Sequence, residues 1–158
     1  MTKTEWKGIC WKGAFSEFSV RELLTVLKGF GPLEVLEFEM PEYSRGQLSI
    51  SLTRDKRKEV TLYHLETLGP QRQGKGRASL LMLKELFKGG IFVEDPGILM
   101  RSTAARSLLF WLQMFREGNV RAVEGDDLSL HCGMSAVELE AIEKRLRNGT
   151  AVPGRGAH

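Results

Sequence analysis

Between Leu68 and Ser79 the chain reads Leu-Gly-Pro-Gln-Arg-Gln-Gly-Lys-Gly-Arg-Ala-Ser. Gly74 and Gly76 alternate with Lys75 and Arg77, and Arg72 lies just upstream. Glycine lets backbone N–H groups turn toward one point with no Cβ in the way. A helix beginning beside them adds unpaired amides and the positive end of its dipole. The basic side chains add formal charge. The chemistry this suits is capture of a phosphate or pyrophosphate. Two familiar phosphate loops do not fit. A P-loop has Ser or Thr directly after its Gly-Lys, and here Gly76 follows Lys75. A dinucleotide fingerprint needs a third glycine at position 79, where Ser79 stands.

Such a turn must sit between a strand and a helix. Val60 to Leu68 is rich in β formers, and Ala78 to Phe87 is helical in composition, ending at Gly89-Gly90. Upstream, Leu33 to Met40 reads as a strand. Gln47 to Thr53 alternates, with Leu48, Ile50 and Leu52 on one face and Gln47, Ser49 and Ser51 on the other. With turns over Pro41–Gly46 and Arg54–Glu59, this predicts an antiparallel meander. Residues 5–15 suggest a first strand. Ser19 to Glu22 has capping-box spacing before a helix carrying Val20, Leu23, Leu24 and Leu27, which Gly29 to Pro32 stops.

Downstream, Ile91-Phe92-Val93 is a short continuous apolar strand of the kind buried in parallel pairs. Ala104 to Arg116 predicts a helix, and 120–132 one or two short strands. Ser135 to Glu138 is a second capping box ahead of Leu139, Ile142 and Leu146. A strand-turn-helix-strand unit over 60–93 predicts a right-handed parallel crossover. The fold class expected is therefore α/β. The first half of the sheet is antiparallel, a parallel strand pair flanks the loop, and helices cover both faces. Residues 1–150 read as one domain and 151–158 as a flexible C-terminal tail.

In this setting the loop resembles the acetyl-CoA signature of the GNAT superfamily of N-acetyltransferases, Gln/Arg-x-x-Gly-x-Gly/Ala. Gln73, Gly76 and Ala78 fill its fixed positions, with Leu68 and Pro70 before it and a small hydroxyl, Ser79, after it. The order of elements from about residue 33 to 132 is similar to the family's. The resemblance implies a GNAT-like mixed sheet with acetyl-CoA as cosubstrate. Backbone amides over Gln73, Gly74, Lys75, Gly76, Arg77 and Ala78 are expected to hold the pyrophosphate. The strand ending at Leu68 is expected to hydrogen-bond the pantetheine arm and to part from the strand at 91–93 to admit it. A neutral amine then attacks the thioester directly. A backbone N–H near Leu68 meets the developing oxyanion.

Such a reaction calls for a base and an acid. Glu66, on the strand before the loop, is the leading base, with His64 two residues away; alternation puts Val60, Leu62, His64, Glu66 and Leu68 on one face. Many family members place a Tyr acid on the helix after the second core strand. Here that helix offers Phe110, Trp111, Met114 and Phe115, and the only tyrosines are Tyr43 and Tyr63. That departure leaves a substrate-assisted route, or a catalytically silent GNAT-like domain that binds CoA or a protein partner, as alternatives. Glu94-Asp95, at the end of the second core strand, suits a turn or a cationic amine. The aromatic cluster at 110–115 suits a core, a substrate pocket or a homodimer interface.

Composition bounds the rest. The chain has 158 residues, 42% hydrophobic and 27% charged, which is globular and not disordered. No apolar run approaches the ~20 residues of a membrane span, and the N-terminus lacks the apolar stretch of a secretion signal. A cytoplasmic protein is expected, without a membrane partner. Net charge is +3 and pI about 9.0, in keeping with an anionic ligand. The basic run Arg54 to Lys58 invites a nucleic-acid reading, but it reads better as a solvated hairpin turn. Cys10 and Cys132 read as reduced thiols, and His131-Cys132 without a second cluster gives no metal site. The acceptor stays open among small-molecule and protein amines.

Overall fold

The computed structural model describes residues 8–13, 17–29, 35–52, 57–69, 74–94, 104–125 and 127–148. The chain forms two compact units, Met1–Ile91 and Phe92–His158. The first contains β1 (Cys10–Lys12), β2 (Glu17–Phe18), α1 (Val20–Gly29), β3 (Leu36–Met40), β4 (Ser44–Leu52), β5 (Lys58–Thr67) and α2 (Lys75–Phe87). Its strands run in the order β2-β1-β3-β4-β5, and every pairing is antiparallel.

Alternation divides this sheet into two faces. Leu36, Phe38, Met40, Leu48, Ile50, Val60 and Leu62 are buried, whereas Glu37, Glu39, Arg45 and Gln47 are exposed. Trp11 packs at 5.6 Å from Phe38 and edge-on at 5.7 Å from Phe87 of α2. Leu80, Leu83 and Phe87, spaced along one helical face, are also buried. Each such side chain stabilises the fold by about 1.5–3 kcal/mol relative to exposure.

The β4–β5 ladder contains a register shift. Gln47 faces His64 while the next residue, Leu48, faces Leu62, so Tyr63 is the extra residue of a bulge. Val60 and Leu62 therefore lie on the buried face, and His64 and Glu66 lie on the polar one, opposite Gln47 and Arg45. The single shared face expected for 60–68 does not exist. Gly46 is what admits the bulge. A Cβ there would lie 2.1 Å from the His64 carbonyl oxygen and 2.8 Å from the Phe38 ring. Instead of belonging to the turn, Gly46 sits inside β4, which begins at Ser44.

The second unit holds β6 (Ile91–Glu94) from Phe92 on, α3 (Ala104–Arg116), β7 (Ala122–Glu124), β8 (Ser129–Leu130) and α4 (Ala136–Arg147). β6 pairs with β7 in parallel, and β7 with β8 antiparallel. The pairings are thus mixed in an α/β chain. The Ser135 capping box forms as its spacing requires, with Glu138 N–H donating to Ser135 Oγ at 3.2 Å. Trp111 and Met114 of α3 and Ile142 and Leu146 of α4 are buried. β2 was not anticipated, and α2 starts at Lys75, three residues before the helix expected from composition. The tail at 151–158, the stop at 30–32 and residues 54–56 of the basic run lie outside the described residues.

Candidate functional site

The start of α2 leaves its first amides without helical partners. Gly74 is its N-cap in the left-handed region, φ 69 and ψ 15, and supplies no capping side chain. The first turn carries no acid. Ala78 N–H makes the first helical bond, to the Gly74 carbonyl at 3.0 Å. The Ala78 amide is therefore already engaged. The amides of Lys75 and Gly76 precede that bond, where helix geometry offers no partner four residues back. Gly76 is buried, and Lys75, Ala78 and Leu68 are half-buried. Gln73 and the segment 70–73, on which the family signature begins, lie outside the described residues.

Three side-chain contacts hold this turn. Lys75 Nζ donates to the Leu68 carbonyl at 2.6 Å and ties the first residue of α2 to the end of β5. Ser79, fully buried, donates from its hydroxyl to the Lys75 carbonyl at 2.7 Å. It also lies 2.6 Å from the equally buried Ser44 hydroxyl of β4. With the Ser79 proton directed at Lys75, Ser44 is the donor of that pair. Met40 Sδ, 3.5 Å from Ser44 Oγ, is its fallback partner.

The polar face of β5 carries the candidate proton chemistry. Arg45 Nε donates to Glu66 Oε2 at 2.8 Å, and His64 Nε2 lies 3.8 Å from the same oxygen. The Arg45 hydrogen bond holds the Glu66 carboxyl below its ordinary range, against a smaller opposing effect of burial. Glu66 raises Arg45 in turn. A carboxylate so held is a weaker base than Glu66 was expected to be. At the bulge, Tyr63 hydroxyl lies 3.0 Å from Ser49 Oγ. Arg45 and Tyr63 were not foreseen in this cluster. Gly46, the third residue of β4, marks the bulge only once its cross-strand neighbour is known.

Leu68 differs from the role expected of it. Its N–H donates to the Tyr43 carbonyl at 2.9 Å, and its carbonyl accepts from Lys75. Both main-chain groups are engaged, so an oxyanion donor at Leu68 requires this end of β5 to rearrange.

In the second unit, Glu94 ends β6 exposed and opposite Glu124 of β7, while Asp95 lies outside the described residues. An open groove lined by Arg116, Leu139, Glu143 and Arg147 runs along α4 and shares no residue with the α2 turn. Arg147 and then Arg116 hold the Glu143 carboxyl below its ordinary range. Both cysteines are free thiols, and burial first, then the Glu17 carboxylate, raise Cys10. Among the described residues, no group of three or more His, Cys, Asp or Glu could hold a metal ion. No described helix is long and apolar enough to cross a membrane.

Compared with known proteins, the chain matches no family model, no curated protein and no solved structure.

Proposed function

We propose that this chain is an acetyl-CoA-dependent N-acyltransferase of GNAT type, working in the cytoplasm on a small-molecule or protein amine. The observation that carries the reading is the α2 turn. A strand ends at Thr67, and a thirteen-residue helix opens on an αL glycine with no acid and no capping side chain in its first turn. Lys75 and Arg77 add charge there, and the residues match the acetyl-CoA signature named above. The pyrophosphate would meet the amides around Gly74, Lys75 and Gly76. The thioester arm would run back along β5 past Leu68 toward Glu66. When bound, acetyl-CoA supplies the activated acyl carbon. The chain's own part is to hold the phosphates, orient the arm and manage the amine proton.

Isothermal calorimetry with CoA and acetyl-CoA tests this directly. Binding in the wild type and its loss in Gly76→Val, with the circular dichroism spectrum unchanged, is the expected result. Equal affinity in a folded Gly76→Val protein would remove the α2 turn from the site. A second reading, a CoA-binding domain without transfer, draws support from Leu68, whose amide and carbonyl both have internal partners. Free-thiol release from acetyl-CoA in the presence of amines separates the two.

A further inference from the structure

A transfer reaction needs an acceptor for the amine proton, and Glu66 is committed to Arg45. The polar face offers another group at the same place. Register sets Arg45 opposite Glu66 and Gln47 opposite His64. His64 and Glu66, two residues apart, share a face, with side chains 31% and 34% exposed. A reactant can reach them, yet they are not fully hydrated. From Leu68 back to His64 is four residues, roughly 13 Å of strand at ~3.3 Å per residue. That is a distance an extended thioester arm covers.

We propose that His64, not Glu66, accepts the amine proton, and that Glu66 is its positioning residue, anchored by Arg45. This rests on the acetyltransferase reading above. In this arrangement Nε2, 3.8 Å from Glu66 Oε2, carries the ring proton, and Nδ1 offers the lone pair. The amine nitrogen attacks the thioester carbonyl carbon and the C–N bond forms. The C–S bond breaks, and its electron pair leaves with the sulfur. The amine proton passes to His64 Nδ1, and the thiolate takes a proton from solvent. His64 then returns its proton to water.

The charged and titratable surroundings are few. Glu66 is on the same strand. Arg45 comes from β4 beside neutral Gln47, whose amide donates to Glu37 of β3 at 3.2 Å. Glu39 of β3 stands opposite Arg45. Tyr63 is the adjacent bulge residue. Glu66 is thus the one carboxylate in ion-pair range of the imidazole among the described residues.

The test has two arms on the full chain. Diethylpyrocarbonate acylates unprotonated imidazole nitrogen, and peptide mass spectrometry reads each histidine separately. Saturating acetyl-CoA should slow modification of His64 severalfold and leave His131 unchanged. Transfer to spermidine, a lysine peptide and an aminoglycoside is the second arm. His64→Gln should lower kcat about 100- to 10,000-fold, with calorimetric acetyl-CoA affinity unchanged. Glu66→Gln should give an intermediate loss that Glu66→Asp partly restores. Unprotected His64 despite calorimetric binding, or wild-type turnover in His64→Gln, overturns the role of His64 alone. Absence of calorimetric binding overturns the acetyltransferase reading beneath it. Binding and protection without transfer to any of the three amines removes the transfer reading and His64 with it.

Discussion

Arg45 and Glu66 meet because the strands between them are in register, and their meeting changes what Glu66 can do. A lone sheet-face glutamate would be an adequate base near its ordinary value of 4.5. With a guanidinium donating at 2.8 Å it becomes an anion that orients its neighbours. The same pairing has a consequence for stability. A carboxyl whose folded value lies below its unfolded one stabilises above the unfolded value, and that contribution is lost as pH falls through the folded value. Urea midpoints measured from pH 7 to pH 2 should therefore fall less steeply below pH 4.5 in Glu66→Gln than in the wild type. Glu143→Gln should flatten the same limb through Arg147 and Arg116. An unchanged slope in both would mean that neither pair is formed. Gly46 sets a second limit at this scale. A methyl group there meets a backbone carbonyl and an aromatic ring, neither of which can swing aside. Gly46→Ala should destabilise by about 1–3 kcal/mol or more, read as a lower urea midpoint.

At the scale of elements, the strands and helices with strong periodicity are readable from the chain, and the bulge in β5 and the start of α2 are not. Leu48, Ile50 and Leu52 alternate with polar residues and do form a strand, but Gly46 reads as turn chemistry until its cross-strand neighbours are known. Periodicity also carries no sign of an inserted residue, so the bulge at Tyr63 moved His64 and Glu66 to the polar face unseen. The start of α2 was hidden for a related reason. Gly76 stands inside the first turn, where glycine is disfavoured by up to about 1 kcal/mol relative to Ala, and tertiary contacts override that preference. The Ser44–Ser79 pair is such a contact. Ser44→Ala leaves Ser79 bonded to Lys75, whereas Ser79→Ala strands a fully buried Ser44 hydroxyl with only a thioether in reach. Ser79→Ala should therefore cost more, about 1–3 kcal/mol against about 0.5–1.5 for Ser44→Ala, measured by chemical denaturation. The reverse order would mean that the proton of the pair lies the other way.

For the whole molecule, the question is whether a mildly basic chain puts its charge to use at one place. Net charge of +3 spread evenly would attract anions weakly and without preference. Lys75 and Arg77, added to the amides of a helix terminus, concentrate that charge at the α2 turn, and a tetraanionic or trianionic cofactor would respond to the concentration. A ligand that binds only the folded state stabilises it by mass action, about 2.7 kcal/mol at one hundred times Kd. For a chain of this length that corresponds to a rise in Tm of roughly 5–10 °C. CoA should produce such a shift, and pantetheine without its nucleotide phosphates should produce much less. The CoA shift should shrink between 0.05 and about 1 M NaCl, where the screening length falls to ~3 Å. A Lys75→Gln/Arg77→Gln double variant should show a smaller shift with a shallower dependence on salt, because less formal charge remains to be screened. A shift of equal size for pantetheine would point to recognition of the arm alone. An undiminished, equally salt-sensitive CoA shift in the double variant would move the anion site away from α2 altogether.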